Sequence, residues 1–347
     1  MRATRFLALC VVVGLLGSCS GMGKALAGLP PGYSITDTGM LSGGAFSEPY
    51  GINDAGQVVG ACNVPGLGPR GYLWDNGTMT DLGQGCANSI NKHSQIVGGD
   101  FHGGWINETG YLWQNGSRIN LSMGAFDINS AGLVVGQGRG YNNQVHAVMW
   151  QQGTMADLFP LFAEASCATG VNDTGSIVGW AATSLSPIRF EGFLWRNGFT
   201  LDLGYLGRGA VTLGINAHDQ VVGCAEKTIQ VGGQDLIVSR AFSWENGVRT
   251  DLETPSGSYG SRAYAVNDAG QIVGTESGKA CIWDGGRLYY LQDLVVDGPP
   301  LWEGATAWDI NNMGQIVVGT SLLTPIPEPA TLALLALGGL VALRRRR

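Results

Sequence analysis

Between residues 33 and 320, apolar and polar positions alternate in short runs that Gly, Asn or Asp interrupts. No stretch keeps the 3.6-residue apolar period of a helix. One run recurs. GINDAGQVVG (51–60) returns as SINKHSQIVG (89–98), DINSAGLVVG (127–136), GVNDTGSIVG (170–179), GINAHDQVVG (214–223), AVNDAGQIVG (265–274) and DINNMGQIVV (309–318). Its shared residue is Asn53, Asn91, Asn129, Asn172, Asn216, Asn267 and Asn311, at intervals of 38, 38, 43, 44, 51 and 44. Each copy reads as strand, tight turn, strand, because Asn and Asp bond their own backbone and Gly takes the left-handed position of the turn.

A second run ends in Trp: Trp74, Trp113, Trp150, Trp195, Trp244 and Trp283 each close a short apolar strand. A turn such as Asp75-Asn76-Gly77 follows, then a third element with Asp-Leu at its centre (MTDLG 79–83, MADLF 155–159, TLDLG 200–204, RTDLE 249–253, LQDLV 291–295) or Asn-Leu (RINLS 118–122). Two hairpins per unit make four short strands in about 42 residues, the size of one propeller blade. The expected fold is all-β, a seven-bladed β-propeller of four-stranded blades. Seven Asn turns face only six Trp strands and six Asp-Leu strands. Tyr33–Gly39 resembles the missing Asp-Leu element, so the N-terminal strand is expected to close the ring beside residues 315–320 and remove its open edges.

The two ends have a different pattern. Met1–Phe6 carries two Arg, Phe6–Gly17 is an apolar run of 12, and Ala25-Leu26-Ala27 is a small-residue site. Residues 1–27 therefore read as a signal peptide, too short to span a bilayer, cleaved before Gly28. Leu16-Gly17-Ser18-Cys19 offers lipoprotein processing at Cys19 as the alternative. Residues 28–324 form the repeat body. Residues 325–347 run from Pro325-Ile326-Pro327-Glu328-Pro329 through fourteen apolar residues (330–343) to Arg344, Arg345, Arg346 and Arg347. This order resembles the PEP-CTERM sorting signal. The resemblance implies handling by an exosortase after signal peptidase, with a short transmembrane helix as transient inner-membrane anchor and the body at the cell surface or in the extracellular matrix. Fourteen residues reach only about 21 Å, short of the roughly 30 Å hydrocarbon core, and the Arg run stays cytoplasmic.

Charge excludes one class of partner. The chain carries a net −7, but Arg2, Arg5, Lys24 and the terminal Arg run lie in the two ends. Without these seven cations and Glu328 the body holds 13 basic against 26 acidic residues, a net of −13. Such a body repels nucleic acid and anionic headgroups. Its contact with a membrane is left to the tail.

The repeats resemble those of HAF-repeat proteins, named for a His-Ala-Phe tripeptide before Trp. His146-Ala147-Val148 comes closest here, while other copies read Arg240-Ala241-Phe242 or Glu191-Gly192-Phe193. The resemblance covers about residues 33–320 and implies an exported β-repeat body, with no reaction attached.

Chemistry is sparse. The Asn-Asp-x-Gly turns lack the closing acid of a calcium loop. His93, His102, His146 and His218 are too few for a repeated metal site, and His93 and His218 sit in turns. Cys62, Cys86, Cys167, Cys224 and Cys281 remain after signal cleavage, with a Cys62–Cys86 bridge as the candidate pairing. The repeated Trp residues are expected in the inter-blade core, and the repeated Asp residues between blades or in a ring around the channel. No catalytic constellation, metal ligand set or cofactor motif stands out. The expected function is thus a non-catalytic surface protein binding a glycan or envelope component. Its candidate sugar-stacking residues are Trp105, Tyr141, Trp180, Trp302 and Trp308. The alternative is a polysaccharide hydrolase or lyase at the channel mouth, using off-repeat acids among Glu48, Asp100, Glu108, Glu164, Glu226 and Glu276. A third reading is a pure spacer with uniform rims.

Overall fold

The computed structural model describes residues 30–99, 109–140, 143–158, 165–185, 188–207, 211–255 and 258–327. The chain divides into Met1–Pro30, of which Pro30 alone is described, and Pro31–Arg347, which holds everything below. The expected signal peptide, residues 1–27, and the tail from Glu328 onward lie outside the described residues. No helix among the described residues is long and apolar enough to cross a membrane.

The fold is a seven-bladed β-propeller. Blades 1 to 6 are antiparallel four-stranded sheets whose strands follow chain order. Their first strands are Phe46–Ile52, Cys86–Ile90, Gly124–Ile128, Ala165–Val171, Val211–Ile215 and Ser261–Val266. The first strands of neighbouring blades touch one another all the way round, so they form the inner wall. Blade 7 is built from Ala307–Ile310, Ile316–Val318 and Ser321–Pro325, and Tyr33–Asp37 pairs antiparallel to the last of these. The N-terminal strand does close the ring, though its partner is Ser321–Pro325 rather than residues 315–320. Val318 ends the preceding strand and a tight turn at Gly319, with φ 58°, reverses the chain there.

Two further differences lie at the same seam. Leu291–Leu294, read as a strand of the Asp-Leu class, is one turn of helix, and Arg287–Tyr290 is the fourth strand of blade 6. After that helix, Val295–Asp297 pairs parallel to Tyr33–Asp37 and gives blade 7 a fifth strand. The last strand also extends past residue 324. The Ile326 N–H donates to the Gly32 carbonyl at 2.8 Å, so the body reaches into the start of the sorting segment.

The core is divided among seven apolar clusters, one at each contact between adjacent blades. The paired apolar residues of each second strand explain this. Val58 faces blade 7 and Val59 faces blade 2, since successive side chains of a strand point to opposite faces. Each repeat Trp packs into the cluster shared with the preceding blade, from Trp74 against blade 7 to Trp283 against blade 5. The Trp283 indole donates to the Glu253 carbonyl at 2.7 Å. The Gly that ends six of the seven Asn motifs also has a steric cause. A Cβ at Gly136 would overlap the Gly124 carbonyl oxygen of the first strand.

Candidate functional site

The two ends of the ring differ. One end is uniform: between first and second strands every blade has a five-residue turn, from 53–57 in blade 1 to 311–315 in blade 7. The fourth turn position has positive φ throughout, as Gly56, Ser94, Gly132, Gly175, Asp219, Gly270 and Gly314. Asn53, Asn91, Asn129, Asn172, Asn216, Asn267 and Asn311 open these turns and are all buried. The side-chain amide of each donates to the backbone carbonyl of the Asn in the next blade. The distances are 3.0, 2.9, 3.0, 2.9, 3.0 and 3.2 Å, and Asn311 returns to Asn53 at 2.9 Å. The seven bonds form a closed belt. Each Asn Oδ1 meanwhile accepts the N–H groups two and four residues on, as with Ala55 and Gln57.

The other end is varied. It carries the connections between second and third strands and between blades, and these differ in length from blade to blade. The hairpin of blade 5, Val221–Val231 with Gln234–Glu245, is the longest among the described residues and shows Leu236 and Ile237 to solvent. Between blades 6 and 7, residues 298–306 form an insert carrying Trp302, which is 51% exposed. A cavity of about 230 Å³ opens there, lined by Lys279, Gln292, Leu301, Trp302 and Glu303.

Inside the ring, every first strand has one extra residue opposite the second strand: Tyr50, Asn88, Phe126, Thr169, Leu213, Tyr264 and Trp308. All seven bulged residues are half-buried. Three adjacent blades bring Tyr50, Trp308 and Tyr264 together. Tyr50 and Trp308 lie 5.6 Å apart edge to face, and Tyr264 and Trp308 lie 4.8 Å apart. The Trp308 indole donates to Glu48 Oε1 at 2.9 Å, and the Tyr50 hydroxyl to Glu48 Oε2 at 3.4 Å.

Two acids beside the bulges were not singled out from sequence, Asp127 and Asp309. Other copies hold Gly51, Ser89, Gly170, Gly214 or Ala265 at that position, and the break in pattern was the available signal. Each clamps a neighbouring blade. Asp127 accepts from Val171 N–H at 2.8 Å and Ser89 Oγ at 2.6 Å, and Asp309 accepts from Ile52 N–H at 2.9 Å. Burial pushes the Asp309 carboxyl up to about 7, against the N–H bonds of Ile52 and Ile310 and helped by the charges of Asp127 and Asp54. A carboxyl raised in the folded state is favoured protonated. Its contribution is full below its unfolded value of 3.8 and fades as pH rises through about 7. Between pH 8 and pH 5 the wild-type melting temperature should therefore rise relative to that of Asp309→Asn. A constant gap between the two across that range would refute this.

The remaining sequence candidates separate. Asp81, Asp202, Asp251 and Asp293 are exposed, the first three on outermost strands, so the repeated acids do not ring the channel. Asp81 pairs with Arg70 at 2.8 Å, Asp251 with Lys227 at 2.7 Å, and half-buried Asp157 with the buried His146 at 2.7 Å. His93 and His218 are exposed in their turns. The five cysteines among the described residues are buried and free, which removes the Cys62–Cys86 bridge. Trp180 packs edge-on against Phe190 at 5.0 Å. Trp105, Tyr141, His102, Asp100, Glu108 and Glu164 lie outside the described residues. Glu48, Glu226 and Glu276 sit on blades 1, 5 and 6. Glu276 accepts from Ser277 and Tyr290, each at 2.6 Å. Burial pushes its carboxyl up, but these bonds, Ser258 and the Arg240 charge outweigh that and hold it below its usual range. Among the described residues no three His, Cys, Asp or Glu side chains gather as a metal site would require.

Residues 325–347 match the PEP-CTERM protein-sorting motif, which contains Pro327, Glu328, Pro329 and the Arg run. The motif implies export and exosortase processing of the chain. The match covers the tail and does not extend to the repeats. No curated protein matches the chain. Similar solved structures include the β-propeller domain of the Trilobed protease from Pyrococcus furiosus, described as having an open velcro topology. It is 13% identical with a TM-score of 0.50, covering 74% of this chain and 86% of that one. The acylaminoacyl peptidase of Pyrococcus horikoshii is 12% identical with a TM-score of 0.50, covering 84% of this chain and 54% of the peptidase. A six-bladed fungal lectin, from Aleuria aurantia, is 12% identical over 82% of this chain and 99% of its own, with a TM-score of 0.35. At these identities the likeness to the two archaeal proteins shows the propeller fold and nothing finer.

Proposed function

We propose that this is an exported, non-catalytic propeller of the cell surface or extracellular matrix that binds a glycan or another envelope component at its varied end. The observation that carries the reading is the contrast between the two ends of the ring. Seven matching turns tied into a belt leave the uniform end little that is specific to a ligand. The opposite end presents unlike connections, an exposed Trp and a cavity, which is where a ring of repeats gains individuality. Two acids of the hydrolase reading are already committed. Glu48 is held by Trp308 and Tyr50, and Glu276 is held below its usual range, which suits a nucleophile or base but not the general acid a hydrolase also needs. The body is read as a HAF-repeat propeller, with signal peptidase and exosortase as its processing partners and no cofactor.

The test is retention of the producing organism's extracellular polysaccharide and envelope extract on the immobilised protein. Saturable retention of a sugar fraction of unchanged length is the expected result. Shortened or newly reducing sugar would make the protein a hydrolase or lyase. Retention of nothing would end the binding reading.

A further inference from the structure

The insert at residues 298–306 holds its Trp in an unusual way. The Trp302 ring lies across two glycines that leave no side chain in its path. A Cβ at Gly319 would stand 2.6 Å from the indole Nε1, and one at Gly304 would stand 3.1 Å from a ring carbon. Both glycines have positive φ, 58° and 90°, so a larger residue is disfavoured at either by backbone and by space. The indole therefore rests on main chain while half its surface stays open to solvent. Leaving a large aromatic exposed costs hydrophobic free energy unless something covers it. Around it stand three polar side chains, Lys279, Gln292 and Glu303, all exposed. The Lys279 ammonium is steered by the Tyr290 ring, 5.3 Å from its centroid.

We propose that this cavity is a subsite for one uncharged pyranose ring of a polysaccharide, stacked on Trp302 and oriented by Lys279, Gln292 and Glu303. The proposal rests on the binding reading above and names its site and sugar class. At about 230 Å³ the cavity falls below the roughly 300–1,000 Å³ of sites for drug-sized ligands, and holds one ring rather than a chain. Its rim pairs one cation with one anion. A uronic acid would gain Lys279 but be opposed by Glu303, and an amino sugar would gain Glu303 but be opposed by Lys279, so neither charge is favoured overall. A neutral sugar accepts from Lys279 and donates to Glu303 through separate hydroxyls, with Gln292 able to do either. The acidic body disfavours polyanionic chains further.

The insert that carries Trp302 begins beside the closure of the ring. Its insert starts where Val295–Asp297 pairs with the N-terminal strand, and at Gly298 the chain runs against Ile35. The N-terminal strand thus abuts the start of the insert, while the lining itself comes from blade 6 and the insert.

The experiment is titration of the full chain in mild detergent with a methyl hexopyranoside, a methyl uronoside and a methyl amino-hexoside, read by saturation-transfer NMR and Trp fluorescence. The neutral sugar should bind saturably with Kd on the order of a millimolar, as expected for a single small ring. Trp302→Ala should weaken it at least tenfold while the far-UV circular dichroism spectrum stays that of the parent, because only half of the side chain is buried. Equal binding by parent and Trp302→Ala, or preference for a charged sugar, overturns the subsite. If that variant still retains the native polysaccharide as the parent does, the binding reading stands and only this site falls. If the parent retains neither polysaccharide nor monosaccharide, both fall.

Discussion

Asn172→Asp should destabilise the protein more than Asn172→Ala, although Asp is the closer match in shape. The Asn172 amide donates to the Asn216 carbonyl and to Asp219 Oδ1, both at 2.9 Å. Its Oδ1 accepts from Thr174 N–H, Thr174 Oγ1 and Ser176 N–H at 3.1, 2.8 and 2.9 Å. Alanine leaves two backbone donors without their acceptor in a site only 6% exposed. At about 1–3 kcal/mol for each group left unsatisfied, a loss of about 2–6 kcal/mol is expected. Aspartate keeps the acceptor but turns its second oxygen on a carbonyl and on the Asp219 carboxylate, burying an unpaired charge among oxygens. Protonation would restore a donor, so the Asp variant should recover as pH falls while the Ala variant does not. Equilibrium denaturation of both variants at pH 7 and pH 4 decides the matter. Parallel behaviour of the two would mean that the belt adds nothing between blades.

Removing the N-terminal strand should have a larger effect still. Tyr33 is fully buried in the cluster between blades 6 and 7, and residues 33–37 pair with 325–321 in unbroken register. Tyr33→Ala alone should cost about 3–5 kcal/mol, the usual range for emptying an aromatic site. Deletion of residues 30–38 leaves Ser321–Pro325 as a bare edge and Val295–Asp297 without a partner. The expected result is a protein that associates with itself through that edge and exchanges the amides of blade 7 rapidly. A synthetic peptide of residues 30–38 should reverse both effects. Retention of a monomeric, exchange-protected blade 7 in the deletion variant would show that the strand is ornamental.

Much of this architecture could be read in the chain. The seven Asn turns gave the blade count, and the missing seventh Asp-Leu element pointed to the N-terminal strand as the closure. The acids of that element were misleading because a repeated position says that a residue serves every blade, not which side of the blade it occupies. LQDLV was misread because five residues do not separate a strand from a turn of helix. The sideways bond of each Asn was beyond the sequence too: its local turn explains the residue completely, and only the ring shows a second partner. The cavity at Trp302 draws on Lys279, Gln292 and the 298–306 insert, which are apart in sequence and converge only in the fold.

That closure sets a clock. Ser34 and Thr324 are bonded neighbours at 3.3 Å although 290 residues separate them. A chain that crosses a membrane in order exposes its first strand long before the partner arrives. If passage matches a synthesis rate of about 5–20 residues per second, the wait is roughly 15 to 60 seconds. During that interval the last bond of the Asn belt, from Asn311 back to Asn53, cannot form, and the sorting segment that follows residue 325 is still on its way. Arrival of the tail and completion of the fold are therefore nearly one event, so a correctly closed ring also reports that the chain has been delivered as far as the start of the sorting segment.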